Sequence, residues 1–494
     1  MAFAFTLPTT SPVSFAASFA SSSAPSLPSA TTTRRSMFRD SLKRYKRLSA
    51  GEQANAIPSL LTAIDEYLRY LYTVDAYITS QDIVQIAGFE TEWRAVLSRR
   101  TGPAEAPRIK RPGLDYEVHI ATATLGYAHT LRARTLLAAA LHSSPVEGSS
   151  TGSTGSSSSS SSAESTINQA TQHLTTAASV FLYLQHRTAI RAATMPALAQ
   201  PMPPDVSTAM YTALASLCLA SATLLAVLKQ DPYPSIVAMQ HDKNSREWMY
   251  KAPTVPKGVK ALLLARLCMH AAELAGKAAA DVGAAPGARG EVKAYCDDLA
   301  RTAKAKACRF LAVDAEAQGK LGEAIGWVVA GKEVLGLVDV EGEEGGSGKG
   351  KVGRGLDKLK KAREEKKMEK APAEGLLAQD AGRMEEALVL SELERKWRKI
   401  NDSVNFESIK PSSTLLVMLP RGRPIFPGDQ AWTPPKLSSA ELVQLQSHTP
   451  GVDAETDWLR ADDSDDDDVA MAAEGSVGGS VPGGFPRSQS TGYY

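Results

Sequence analysis

Between Asp205 and Lys229 the chain runs for 23 residues without a charge, "VSTAMYTALASLCLASATLLAVL". A helix this long and apolar has two homes, a bilayer, whose core takes roughly 20 such residues, or the centre of a packed protein. Met210, Leu214, Leu217, Leu224, Leu225 and Leu228 fall at steps of three, four and seven and collect on one face. Ser207, Ser216, Ser221, Thr223 and several alanines occupy the other. A lipid-facing helix is bulky all round, whereas one bulky stripe backed by small residues suits a helix squeezed between neighbours. The pattern favours the buried helix and leaves the span as its alternative.

The rest of the chain also reads as helix. Sustained period-two alternation is nearly absent, and no Asn-Gly turn joins two apolar runs. The segment 39–48 is basic and amphipathic. Pro58 is placed to open a helix carrying Leu61, Ile64, Leu68 and Leu71 on one face, and Leu114, Val118, Ala121, Leu125 and Ala128 stack on the next. Further helices are predicted over 164–190, 205–229, 257–281, 291–317, 320–337 and 374–402. At "AEAQGKLGEAIGWVVAG" a long helix turns and returns antiparallel, with Ala315, Gly319, Gly322 and Ala324 small at the crossing, as in a tetratricopeptide-like hairpin. The proline-punctuated start, residues 1–33, reads as an extended entry arm, with a transit peptide as the alternative.

Low-complexity composition marks two insertions as disordered, about 143–163 (Gly/Ser) and about 341–370 (Gly-rich, then charged). The domain is therefore expected to span 1–435 and a mostly disordered acidic tail 436–494. The net charge of +1 hides an asymmetry: residues 453–494 hold 10 acids and 2 bases, leaving 53 bases against 44 acids before them. The mildly basic body lacks the base clusters with interleaved aromatics that nucleic-acid binding needs. Cys218, Cys268, Cys296 and Cys308 have no CxxC spacing and read as reduced, buried thiols.

Catalytic chemistry has no positive support. "GGSGKGKV" spells GxxxxGK, but Val352 follows the lysine and a Glu/Gly linker precedes the first glycine, so the phosphate-loop context is missing. The eight histidines show no metal spacing. No cofactor and no metal are predicted. "YPSI", Tyr233–Ile236, has the form of a YPx[LI] peptide, but the motif is weak and the favoured reading is a turn closing the preceding helix.

Several stretches together resemble the Bro-type domain, the helical module of Alix and its relatives. They are "RSMFRDSLKRYKRLSAGEQANAIPSLLTAIDEYLRYLYTVDAYI", "TEWRAVL" with Trp93, "LDYEVHIATATLGYAHTLRARTLLAAAL", "LASATLLAVLK", "AKACRFLAVDAEAQGKLGEAIGWVVAGKEVLG" and "INDSVNFESIKPSSTLLVMLPRGRPI". Within that family, "FTLPTT", "LLAVLKQDPYP", "EWMYKAP" and "ARTAKAKACRF" are similar to fungal ambient-pH regulators. The resemblance implies an all-α, curved, irregular helical solenoid and a non-enzymatic adaptor. Such an adaptor recruits ESCRT-III to an alkaline-pH sensor complex at the plasma membrane, so that the transcription factor PacC is proteolytically activated. Another Bro-domain endosomal-sorting adaptor is the alternative, and a membrane-integral or organelle-targeted helical protein a more distant one. The implied partner is the C-terminal helix of the ESCRT-III filament subunit. The implied location is cytoplasmic, with recruitment to plasma-membrane or endosomal sites and peripheral membrane association. On the positions matching the family's Leu-Lys helix end, the partner strip would consist of Val227, Leu228, Ile236, Val237 and Met239, with Lys229 at its rim. Plain core packing explains each of these apolar side chains as well.

Overall fold

The computed structural model describes residues 2–99, 106–142, 156–194, 203–234, 260–337, 380–426 and 432–447. Contacts divide the chain into Met1–Thr449 and Pro450–Tyr494, and the second unit lies outside the described residues. The described residues of the first are all-α apart from two short ribbons.

An extended arm, residues 2–18, enters first. Its Phe5 and Phe15 are buried, Phe5 against Tyr127 at 4.9 Å and Phe15 against Phe89 at 4.9 Å. Helix α1 (Leu27–Arg47) then begins earlier than the basic segment suggested, because Pro28 sits in its first turn, where a missing N–H costs nothing. Helix α2 (Ala50–Thr79) also starts upstream of the expected Pro58: Ser49 and Glu52 form a reciprocal capping box, and the proline is accommodated inside the helix.

Two antiparallel ribbons follow, β1 (Phe19–Ser21) with β2 (Ile83–Gln85) and β3 (Glu90–Arg94) with β4 (Arg108–Pro112). The sequence showed neither, since their strands are short and no tight turn joins the partners. β3 delivers Trp93 to the core, where its Nε1 donates to Glu117 at 2.6 Å. The same carboxylate accepts from Arg35 Nε at 2.8 Å and Tyr67 Oη at 2.7 Å. Arg35 also reaches Ser11 O and Thr10 Oγ1, both at 2.7 Å, which fastens the entry arm to α1.

The main stack comprises α3 (Leu114–His142), α4 (Ser156–Thr194), α5 (Thr208–Leu228), α6 (Ala261–Ala284), α7 (Gly290–Ala317) and α8 (Leu321–Val334), each packed on the next. α4 begins at Ser156, inside the serine run read as linker, so helix extends into that expected insertion; its remainder, 143–155, lies outside the described residues, as does 341–370. The charge-free helix is α5, packed between α4 and α6. It is the one helix among the described residues long and apolar enough to cross a membrane, and most of both its stripes is buried in the protein. Its alanines and serines let the flanking helices close on it. All four cysteines are free and buried.

α7 and α8 form the expected hairpin, turned at Gly319 with φ +76°. Gly322 does not serve that crossing. A Cβ there would lie 2.4 Å from Ser408 O, and one on Gly326 2.5 Å from Lys410 O, so these glycines admit a later arm of the chain. α9 (Arg383–Ile400) packs on α8 and α7, and α10 (Ser412–Val417) on α8.

The body continues past the boundary expected at 435. Trp432 meets Tyr72 and Tyr183, Leu437 is buried, and α11 (Ser439–Ser447) pairs Glu441 with Arg69 at 2.7 Å.

Candidate docking site at the end of the apolar helix

α5 ends where the sequence places the Leu-Lys pair. Val227 is only 1 % exposed and belongs to the core, which corrects its expected place in a surface strip: it lies on the face of α5 that its neighbours cover. Leu228 is half-buried against the same core. Lys229, the C-cap, bonds Asn168 on α4 and stands 3.8 Å from Glu164. Ile236, Val237 and Met239 lie outside the described residues.

Gln230 and Asp231 close the helix with turn hydrogen bonds to Val227 O (2.9 Å) and Leu228 O (3.2 Å). The Tyr233 amide donates to Asp231 Oδ1 at 3.3 Å, an Asx turn. Tyr233 itself is buried, its ring 5.1 Å from the Arg309 guanidinium. The turn therefore accounts for "QDPYP", and Tyr233 is not displayed as a peptide ligand would be.

Beneath the turn lies an ionic cluster that the sequence reading missed. Arg309 Nη1 donates to Asp231 Oδ1 at 2.9 Å and its Nε to Glu386 Oε1 at 2.6 Å. Lys306 Nζ donates to Glu386 Oε2 at 2.6 Å and stands 4.0 Å from Asp231. All four side chains are essentially inaccessible, and their formal charges cancel. Burial by itself raises the Asp231 carboxyl, and the adjacent Arg309 and Lys306 outweigh it, holding the group below the usual carboxylate range. Burial likewise depresses the Lys306 ammonium, and Glu386 more than restores it. Glu385 lacks that compensation. Burial lifts its carboxyl to about 7, with Lys306 opposing and Glu386 reinforcing the shift.

The cluster ties the segment after α5 to α7 and α9. A signal was available: Lys306 and Arg309, at i and i+3, share a face with Thr302 and Phe310 in an alanine-rich helix, where unpaired cations would be costly. Geometrically the arrangement fixes the exit of the chain from α5. Among the described residues no group of three or more His, Cys, Asp or Glu side chains is placed to hold a metal. The GxxxxGK stretch lies outside them.

Fold and site together define an all-α protein in which buried ion pairs staple successive helical layers. Full-length sequence similarity identifies its relatives: the chain is 34% identical to the pH-response regulator protein palC of Emericella nidulans, over 534 aligned positions covering 100% of both proteins. The chain belongs to the palC family of pH-response regulators. No family model matches it. Solved structures similar in fold include the ALIX BRO1 CHMP4C complex, with a TM-score of 0.49 and 15% identity over 87% of this chain and 95% of that one. ALIX in complex with the SIVmac239 PYKEVTEDL late domain gives a TM-score of 0.46 and 12% identity over 89% of this chain and 49% of that one. A Bro1 domain described in connection with endosomal targeting gives 0.42 and 13% over 90% and 95%.

Proposed function

We propose that this protein is a non-enzymatic adaptor of ambient-pH signalling, recruiting ESCRT-III to the alkaline-pH sensor complex so that PacC is proteolytically activated. The observation that carries the reading is the full-length similarity to a pH-response regulator. The adaptor works in the cytoplasm and is recruited to plasma-membrane or endosomal sites.

The recognition chemistry is that of a helix in a groove: apolar anchors at i, i+3/i+4 and i+7 of the partner meet an apolar strip rimmed by charge. With Val227 in the core, the strip we assign is Leu228 with Ile236, Val237 and Met239, and Lys229 at its rim. The buried cluster supports the assignment by holding the turn between Leu228 and Tyr233 in one conformation, which lowers the ordering cost of binding.

Pull-down with the C-terminal helix of the ESCRT-III filament subunit tests the reading. The wild-type chain should retain the helix, while Leu228→Asp and Lys229→Glu, each with an unchanged circular-dichroism spectrum, should weaken capture at least about ten-fold. Capture unaffected by both changes removes the assigned strip; no capture by the wild type removes the ESCRT-III reading.

A further inference from the structure

The end of α9 carries a ridge that the reading above does not use. Its last two turns hold Arg395, Lys396, Arg398 and Lys399, all exposed. Arg395 pairs with Glu392 and Arg398 with Glu394, whereas Lys396 and Lys399 make no ion pair among the described residues. A π-helical turn, Asn401–Asn405, follows directly. Ile400 is 39 %, Val404 69 % and Phe406 76 % exposed. Lys396, Ile400 and Val404 recur every four residues, on one face of the helix end.

Phe406 is held there against its own preference. Its φ is +53°, a region that side chains with a Cβ disfavour, and no burial of the ring offsets it. Three bonds impose the conformation: Phe406 N donates to Asn401 O at 2.8 Å, and the buried Asn401 side chain exchanges bonds with the Glu407 backbone at 3.0 and 3.1 Å. Glu407 in turn accepts from Gly322 N at 2.8 Å, which locks the turn to the start of α8. Strain kept in an exposed, tightly clamped residue is a feature of surfaces that meet a partner.

We propose that this ridge is a peripheral docking site for an anionic lipid bilayer, with Phe406, Val404 and Ile400 entering the interface and Lys396 and Lys399 meeting lipid headgroups. Charge complementarity selects the occupant, since Asp402 is the only exposed acid in the run of cations and apolar tips from Arg395 to Phe406. Form selects it too. Side chains exposed to this degree stand out from the surface, which suits a deformable interface and does not make a groove.

Co-sedimentation of the full chain with phosphatidylcholine vesicles, with and without phosphatidylserine, tests the proposal. The chain should pellet with the anionic vesicles, stay in solution with phosphatidylcholine alone, and be released by added salt. Lys396→Gln and Lys399→Gln should each weaken binding about five-fold. Phe406→Asn should weaken it at least about ten-fold. Asparagine tolerates the left-handed conformation, so this variant should melt at or above the wild-type temperature, which separates lost binding from lost folding. Equal pelleting of Phe406→Asn and wild type overturns the proposal. So does failure of the wild type to bind anionic vesicles, which would leave the ridge to an acidic protein surface.

Discussion

Two buried carboxylates organise much of this protein. Glu117 collects donors from α1, α2 and β3, and Glu386 from two side chains of α7. Neither was legible in the sequence, because "DYEVHI" and "RMEEAL" look like ordinary solvated helix starts; only the partners, distant along the chain, distinguish them. Glu385, the neighbour without a full set of donors, gives the clearest dependence on pH. Its carboxyl titrates near 4.5 in the unfolded chain and is lifted to about 7 in the folded one. The folded state thus holds the extra proton between those values, and its contribution to stability, full below pH 4.5, is lost as pH rises through 7. Glu385→Gln should leave the urea midpoint near pH 4 unchanged and raise stability at pH 8 by about 1–3 kcal/mol. An equal effect at both values would show that the side chain matters for packing alone.

At the scale of elements, helices were legible wherever one face carried a regular apolar stripe, and α5, α7 and α8 lie close to their expected bounds. The ribbons were not, because their strands are short and no tight turn joins the partners. Gly322 was seen as small, but the surface it serves was misassigned: it admits the arm at Glu407 and Ser408, not α7, and Gly326, beside Lys410, was not singled out. Gly322→Ala places a methyl group 2.4 Å from the Ser408 carbonyl, a backbone atom with little room to move. It should cost about 1–3 kcal/mol and speed tryptic cleavage after Lys399. Gly276→Ala, with nothing within 4 Å of the added carbon, is the control, and should be neutral or stabilising by up to about 1 kcal/mol.

At the scale of the whole molecule, the buried apolar residues among those described form two clusters. The larger spans the arm, the ribbons and α1 to α7; the smaller joins Tyr233 and α7 to α8, α9 and α10. Arg309 bonds Asp231 and Glu386 from a helix that contributes to both. Arg309→Met should cost about 3–5 kcal/mol in equilibrium unfolding, because it strands two buried carboxylates beside the single cation Lys306. Amide exchange should then rise first in α9, the element that the cluster fastens. The candidate site was half legible in the same sense. The position of the helix end followed from the run of uncharged residues, while the burial of Val227 and the ionic footing of the turn depend on helices that sequence periodicity does not place.

The segment from Trp432 to Ser447 lies against α2 and α4 and reaches back to Ser26 through the Leu445 carbonyl. During synthesis on the ribosome that covering is the last of the described residues to emerge. Tyr72 and Tyr183 must wait for it through the translation of every intervening helix, so the nascent chain offers chaperones a sticky face for most of its time in the making. Stop codons placed ahead of Trp432 would leave that face open for good.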